Sequence, residues 1–512
     1  MMADSGPAAT RHPALVLVTT VLGSSLAFID GSVVNVALAA LQRDLGAGVS
    51  DLQWIVNGYM LTLGALLLLG GAMGDRLGRR RVFMAGVWVF AISSVACALA
   101  PSPLLLILAR AVQGIGAALL VPNSLAILSS AFPRERRGRA IGTWSGFAAM
   151  TSAGGPVLGG WLVDTLSWRA AFWINVPIAA VVLVLAMVAV RESRDNGAHG
   201  RMDWPGAVLA VGGLGLISWA LIALGEADGH PPVIAGAAAL GIGLLALFLR
   251  IEARCAAPLL PPTLLRVRAF AAANLLTLLL YGALGAAIFL YPLSLIRLHG
   301  YTATEAGAAF LPFPVVLFVL SRWSGALLDR YGPRPPLVIG PAIAALGLGL
   351  LAWPVTGTPY WSTFLPGVLV LGVGMGVCIP PLTTVVMIAV DDRYAGVASA
   401  VNNAASRVAG LLAVAAVGPL LVAVFAAGLE PALQPLDLSA PVLAALLADP
   451  AALTDLRPPT LAGDRATAVV DAARDALVTA FRVSLAASAV LALMSSAVSA
   501  WAFRAGPVSP GE

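Results

Sequence analysis

Long apolar segments separated by short polar turns dominate this chain. A helix needs about 20 predominantly apolar residues to cross a bilayer, and runs of this length recur from end to end. The pattern therefore predicts an all-α membrane protein with about fourteen spans. They lie near 14–40, 52–72, 82–100, 104–124, 139–162, 169–190, 203–224, 231–250, 269–292, 305–323, 336–353, 361–382, 395–425 and 477–503.

Two of the polar turns have nearly the same sequence. Residues 71–81 read GAMGDRLGRRR, and residues 325–334 read GALLDRYGPR. Each turn supplies a glycine for positive φ or close backbone approach, an aspartate that can satisfy a helix N-terminus, and arginines that stay on one side of the bilayer. Two copies with the same apolar flanks indicate a duplicated membrane bundle.

The distribution of arginine predicts the orientation of the spans. Arginines cluster in alternate loops, while the intervening loops hold few charges, which places the clusters and both termini in the cytoplasm. The duplicated turns follow spans 2 and 10, so eight spans separate them where a plain duplication of six helices would give six. We therefore predict two inserted helices, spans 7 and 8. The predicted units are an N-terminal bundle at 1–190, a linker with the inserted pair at 191–260, and a C-terminal bundle at 261–512.

Composition agrees with a membrane protein and excludes several activities. The chain has 512 residues, 59% hydrophobic and 11% charged, with a mean hydropathy of +0.92. All 30 basic residues are arginine, so the chain has no P-loop lysine and no lysine for a Schiff base. We therefore expect no cofactor and no enzymatic activity, and any active transport must use an ion gradient or a separate subunit. Zinc and protease sites are not expected either, since the histidines fall in loops or tails: His12, His199, His230 and His299.

The largest soluble segment is predicted near residues 428–474. It is acidic, rich in proline and placed outside by the count of spans. A solvated flap is the simpler interpretation, and a substrate lid is the alternative.

Asp30 lies inside the first predicted span. A charged aspartate at a helix centre costs about 2.5–3.5 kcal/mol on insertion scales, so it should face a cavity or a partner, or carry a proton. Burial favours the neutral carboxyl group and a nearby cation favours the charged one, so a site that alternates between these surroundings binds and releases a proton. The alternative is a structural carboxylate bonded to neighbouring helices.

Arg110 lies in span 4 at a matching depth. At 1.5 Å per residue, Arg110 is about 9 Å and Asp30 about 12 Å below the same outer face. The two side chains can therefore pair, and we expect Arg110 to be the fixed cation beside Asp30. Snorkelling of Arg110 to the outer interface is the alternative.

Other polar or special residues inside the spans have more than one interpretation. In span 5, Gly155-Pro156 and Gly159-Gly160 predict a bending or sealing element, although close packing of small residues would also explain them. Within the second half no acidic residue lies at the depth of Arg407, which leaves backbone carbonyls, the first bundle or a substrate oxygen as its partner. The candidates that line a cavity, or only tie helices together, are Asn35, Asn57, Tyr59, Gln113, Asn274, Tyr281, Asn402 and Arg407.

Taken in order, these motifs resemble the major facilitator superfamily, and specifically its fourteen-helix drug:proton antiporters. Residues 71–81 are similar to the loop between spans 2 and 3 of that superfamily, with Met73 in place of the usual leucine, and residues 325–334 are its echo. The segments RAVQGIG, GPVLGG and WRAAFWINVP are similar to motifs of spans 4, 5 and 6; they occupy 110–116, 155–160 and 168–177. The chain departs from the family at Gly31, Ser32, Ala39 and Thr151.

The resemblance implies two six-helix bundles, here with two inserted helices, that rock around a central cavity and export small hydrophobic compounds by proton exchange. It implies that Arg110 belongs to the proton relay, and the single titrating residue, Asp30, predicts about one proton per substrate. The expected partners are a small-molecule substrate, protons and the lipid bilayer, without nucleic acid, and the protein is expected to be a monomer in the cell membrane. The residues that the resemblance assigns to the cytoplasmic gate are Gly71, Asp75, Arg76, Gly78, Arg79, Arg80, Asp329, Arg330, Gly332 and Arg334.

Two rival functions fit the same sequence features. One is a dedicated self-resistance pump for a single natural product, which competition between unrelated compounds would separate from a multidrug exporter. The other is a membrane sensor or scaffold that transports nothing, which predicts no substrate-dependent proton flux.

Overall fold

Long α-helices joined by short turns make up the computed structural model. It describes residues 13–132, 134–194, 203–225, 230–255, 262–353, 359–390, 395–436, 438–439, 443 and 464–503, and this part contains no β-strand. The helices of the first half are α1 Pro13–Leu45, α2 Val49–Leu77, α3 Arg79–Ala98, α4 Pro103–Ala131, α5 Arg134–Thr165, α6 Ala170–Trp173 and α7 Asn175–Ala189.

The remaining helices continue the same pattern. A pair, α8 Trp204–Ala223 and α9 Pro231–Glu252, follows the first half. The second half contains α10 Pro262–Leu265, α11 Arg268–His299, α12 Ala303–Ala308, α13 Pro312–Tyr331, α14 Arg334–Leu351, α15 Tyr360–Thr363, α16 Leu365–Ile388, α17 Ala395–Leu433 and α18 Asp464–Ala502.

Thirteen helical segments of the described residues are long and apolar enough to cross a membrane. They correspond to every predicted span except the fifth. There the chain forms α5, which is 32 residues long but richer in arginine, serine, threonine and glycine. The chain is therefore a multi-pass membrane protein.

The helices pack in two groups with α8 and α9 beside them. Within the first group α2 packs on α4, α3 on α4 and α1 on α5; within the second, α14 packs on α16 and α18, and α11 on α17 and α18. The two groups meet where α2 contacts α17, α5 contacts α12 and α1 contacts α11. Helix α8 packs on α9, α2 and α17, and most of α9 is exposed.

The predicted soluble segment at 428–474 is shorter in the structure. Helix α17 continues to Leu433 and α18 begins at Asp464, so only residues between these helices can form the loop. The extensions are helical because their apolar faces pack together: Leu429, Leu433 and Val469 are at most 1% exposed. Most of the intervening loop, where a flap or lid was predicted, lies outside the described residues.

Candidate functional site

An aspartate and an arginine contact each other at the centre of the first group of helices. Asp30 of α1 and Arg110 of α4 form an ion pair through Asp30 Oδ2 and Arg110 Nη1, and each side chain is 1% exposed. Desolvation of two charges is expensive, and a buried pair persists only when further hydrogen bonds satisfy both partners. The structure thus brings together the two residues that were predicted to pair because of their matching depths.

Two amide side chains complete the hydrogen bonding of Asp30, and both also bond to a serine. Gln113 Nε2 and Asn175 Nδ2 donate to Asp30 Oδ1 at 2.9 and 3.1 Å, and both also donate to Ser94 Oγ, at 2.8 and 3.3 Å. Gln113 Oε1 accepts from Arg110 Nη1 at 2.7 Å. This buried network, Asp30–Arg110–Gln113–Asn175–Ser94, joins α1, α3, α4 and α7.

The guanidinium of Arg110 is also held by backbone and by aromatic rings. Its Nε donates to the carbonyl of Ile55 at 3.2 Å. Its Cζ lies 4.3 Å from the ring centroid of Tyr59 and 5.8 Å from that of Phe172. Tyr59 is fixed in turn, because its hydroxyl donates to the carbonyl of Ala27 at 3.1 Å. Cation–π contacts of a desolvated guanidinium contribute about 2 kcal/mol, so Arg110 is a cation with a fixed position.

Gln113 of the network and Tyr59 beside it were predicted as cavity residues, whereas Asn175 and Ser94 were missed. Gln113 is fully buried and serves the ion pair, and Tyr59 is the platform beneath Arg110. Asn175 carried a detectable signal, since it is an amide inside an apolar run within the span 6 motif. Ser94 carried none, because serines are common in membrane helices and often bond their own backbone.

The other predicted cavity residues differ in their surroundings. Asn35 lines a cavity of about 200 Å³ between α1, α5, α11 and the region of α12 and α13. Asn402 Nδ2 donates to Asn274 Oδ1 at 3.2 Å and to a threonine of α11 at 2.7 Å, and so ties α17 to α11. Asn57 is fully buried on α2, and its amide has no hydrogen-bond partner in the described part of the chain. Tyr281 is half-buried on α11.

The glycines of span 5 bring α5 into close contact with α1. An added Cβ at Gly155 would meet Ser32 Oγ at 2.0 Å, and one at Gly159 would meet Val33 Cγ1 at 2.7 Å. Real Cβ atoms do not approach other atoms this closely, so any side chain at these two positions would separate the helices.

The same segment of α5 contacts α12 in the second half of the chain. A Cβ at Gly160 would lie 2.4 Å from the carbonyl oxygen of Ala303, and one at Gly307 would lie 2.2 Å from that of Pro156. Asp164 accepts hydrogen bonds from the amides of Ala303 and Thr304 at 3.2 and 2.7 Å, and from the Thr304 hydroxyl. We call this contact between the two halves the α5–α12 seal.

The first duplicated turn is held by an acid that the sequence pattern did not single out. Gly78 has φ +113°, as a tight turn requires. The prediction that Asp75 satisfies the N-terminus of α3 is wrong. Its carboxylate instead forms an ion pair with Arg79 at 2.7 Å. The amides of Arg80 and Arg81 donate instead to Glu192, at 3.1 and 3.3 Å. Half-buried Arg76 lies in the last turn of α2, and half-buried Gly71 packs near Pro122 of α4.

The second duplicated turn has the same backbone signature. Gly332 has φ +73°, so both copies use a glycine in a conformation that other residues rarely adopt. Arg330 is exposed with its Cζ 5.3 Å from the ring of Tyr331, and Arg334 is the exposed first residue of α14. Asp329 falls within α13, but its side chain lies outside the described residues.

The sequence profile of the Major Facilitator Superfamily matches residues 20–414, most of the chain. The chain belongs to this superfamily. One relative is the multidrug resistance protein Stp of Mycobacterium tuberculosis (strain CDC 1551 / Oshkosh), 35% identical over 428 residues, which cover 83% of this chain and 79% of that protein. Another is the puromycin resistance protein pur8 of Streptomyces alboniger, 36% identical over 408 residues, with 78% and 80% covered.

Among solved structures, this superfamily member resembles an inward-facing, unoccupied bacterial homologue of the human lysosomal transporter Spinster. The TM-score is 0.62 with 19% sequence identity, and the match covers 97% of this chain and 98% of that one. At this identity the likeness supports the fold alone. It agrees with the prediction of an all-α major facilitator architecture.

Proposed function

We propose that this protein exports small hydrophobic drugs or antibiotics across the cytoplasmic membrane in exchange for protons, by alternating access. Membership of the superfamily and relatives named for multidrug and puromycin resistance support export. The buried network around Asp30 supports the coupling to protons. In this proposal the protein has no enzymatic activity, cofactor or nucleic acid partner, acts as a monomer and keeps both termini in the cytoplasm.

The observation that carries the proposal is the set of groups around Asp30. Arg110, Gln113 and Asn175 all present hydrogen-bond donors to its two oxygens, so the network observed here fits the ionised carboxylate. A proton on Asp30 would turn an acceptor into a donor and would break one of these bonds. Because the four residues come from α1, α4 and α7, gain or loss of one proton changes how these helices are held together.

In the proposed cycle Asp30 gains a proton once and loses it once. Asp30 takes a proton while the cavity is open to the outside, and it releases the proton after the cavity has closed there and opened to the cytoplasm. Substrate then binds, and the return to the outward-open state exports it. With Asp30 as the titrating group, about one proton enters for each substrate that leaves.

The α5–α12 seal fits one state of this cycle. The count of spans places the ends of α5 and α12 that meet at Asp164 on the outer side. We propose that the seal is the closed outer gate, with 1–190 and 261–512 as the moving bundles and 191–260 as the linker with the inserted pair. In the described residues the first gating turn bonds to Glu192 of its own half, which leaves its residues available to close the inner gate in the other state.

The test compares two carboxylates of the same helix. Asp30→Asn keeps the shape of the side chain and removes the titration, while Asp44→Asn changes an exposed carboxylate that bonds to Trp168 and Arg169 of its own half. Proteoliposomes are loaded with radiolabelled puromycin, and two activities are measured: transport driven by a pH gradient, and exchange of labelled for unlabelled puromycin without a gradient.

We expect Asp30→Asn to lose gradient-driven transport at least tenfold and to keep exchange, because exchange moves substrate in both directions without a proton. Asp44→Asn should keep both. If Asp30→Asn and Arg110→Ala both retain full gradient-driven transport, the assignment of the proton site is wrong. Competition by unrelated compounds separates a multidrug exporter from a dedicated pump for one natural product, and a sensor would show no substrate-dependent proton flux.

A further inference from the structure

A second arginine lies between the two halves of the molecule, near the middle of the membrane. Arg407 is on α17, and its Cβ is 3.4 Å from where a Cβ on Gly64 would lie. Gly64 is near the centre of α2, which runs from Val49 to Leu77. Arg407 is therefore many residues away from either membrane surface on both helices, too deep for its side chain to reach the headgroups easily.

Arg407 differs from Arg110 in its surroundings. Arg110 is 1% exposed and paired with Asp30, whereas Arg407 is half-buried and forms no ion pair or hydrogen bond with any described residue. Asp30, the carboxylate at comparable depth in the described helices, is already bonded to Arg110 and two amides. A cation in the membrane interior must face a water-filled space or a bound anion, so Arg407 marks the wall of such a space between α2 and α17.

The neighbours of Arg407 give this space an amphipathic character. Asn403, one turn earlier on the same face of α17, is exposed, and its amide adds a polar group. The adjoining apolar side chains are those of Met60 on α2 and Val408 on α17, which are half-buried and pack against a buried leucine cluster of α2, α8 and α17.

We propose that Arg407 binds an anionic group of the exported compounds, so that the cavity selects amphipathic acids over compounds of the same shape without a charge. The guanidinium presents five N–H donors and no acceptor, which suits carboxylates and sulfonates. The aliphatic surface beside it accommodates the apolar body of the compound. This inference rests on the proposed function for its meaning, but it concerns binding and can be tested without a proton gradient.

The experiment uses two probes that differ in one group. The anionic probe is 8-anilinonaphthalene-1-sulfonate, and the neutral probe is N-phenyl-1-naphthylamine, the same ring system without the sulfonate. Binding to the purified full-length protein is followed by energy transfer from its 12 tryptophans. A hydrogen bond to a charged group contributes at least about 1.5 kcal/mol, so we expect the anionic probe to bind about tenfold more tightly than the neutral one.

Arg407→Gln should reduce the ratio of the two affinities to about one, whereas Arg407→Lys should keep most of it because the positive charge remains. Arg266→Gln removes a positive charge from an exposed position before α11 and should leave the ratio unchanged. An unchanged thermal unfolding temperature and a single elution peak in size-exclusion chromatography show that a variant is folded.

The inference is overturned if the wild-type protein does not prefer the sulfonate, or if Arg407→Gln keeps the wild-type ratio. These outcomes are independent of proton coupling. Loss of gradient-driven transport in Asp30→Asn together with an unchanged ratio in Arg407→Gln would support the proposed function and reject this inference. Retained gradient-driven transport in Asp30→Asn together with an affinity ratio of about one in Arg407→Gln would reject the proposed proton site and support this inference.

Discussion

Replacement of Asp164 by alanine should weaken the α5–α12 seal. Asp164 lies at the end of α5 in the first half, and it accepts three hydrogen bonds from Ala303 and Thr304 of the second half. These bonds exist only while the two halves meet at this end. Their loss therefore destabilises the closed state of the gate and leaves the open state unaffected.

The magnitude follows from the number of bonds and their exposure. A hydrogen bond to a charged group contributes about 1.5–3 kcal/mol when it is buried. Because Asp164 is exposed, water replaces much of this interaction in the open state, and we assign about 1.5–3 kcal/mol to all three bonds together. At 1.4 kcal/mol per tenfold change, Asp164→Ala should raise the population ratio of open to closed gate about 10- to 100-fold.

The distance between two spin labels at this end of the molecule measures the shift. Leu166→Cys in the first half and Trp361→Cys in the second are suitable sites, because the native side chains are 70% and 73% exposed. Cys97 and Cys378 are buried, so only half-buried Cys255 needs replacement by serine. Electron–electron double resonance should show a larger fraction of long distances in Asp164→Ala than in the parent protein.

The matched control is Asp44→Ala. Asp44 is also an acid at this end, but it binds Arg169 and Trp168 of its own half, so its loss removes no contact between the halves. Asp164 does not hold the two halves together if Asp164→Ala leaves the distance distribution unchanged, or if Asp44→Ala changes it to the same extent.

Three further substitutions test close contacts and one cap. Gly160→Val places a side chain 2.4 Å from a carbonyl of α12 and should shift the spin-label distances as Asp164→Ala does, while Gly236→Val on α9, which meets nothing within 4 Å, should not. Gly74→Ala puts a Cβ 1.5 Å from an asparagine of α4 and should lower the thermal unfolding temperature in a fluorescence-detected assay, whereas Gly349→Ala should leave it unchanged. Glu192→Ala removes the acceptor for two amides of α3, and a loss of about 1 kcal/mol should appear as faster amide hydrogen exchange in the first turn of α3.

Most of the spans could be predicted because they depend on local costs. In lipid, an apolar run of sufficient length has one stable conformation, the helix. The spans can therefore be counted along the chain. The depth of Asp30 and Arg110 follows from their distance to the span ends, and the contact between them then needs only adjacent helices. The glycines of the duplicated turns were predictable for a related reason, since Gly78 and Gly332 have a positive φ that few residues adopt.

The contacts that individual side chains and helix ends make were less predictable. Glu192, which lies beyond α7, holds the first duplicated turn instead of Asp75, and no spacing in the sequence relates it to α3. The helical ends of the segment at 428–474 were missed because polar and proline-rich sequence can still form a helix when another helix covers its apolar face.

Thirteen of the fourteen predicted spans and the glycines of the two similar turns thus follow from local sequence, because water and lipid act on each segment separately. The tertiary structure alone decided that Asn175 and Ser94 join the ion pair, that Asp164 bonds across the two halves and that Arg407 is left without a protein partner among the described residues. These outcomes depend on which helices become neighbours, and that is settled by glycine-mediated contacts between segments far apart in the chain.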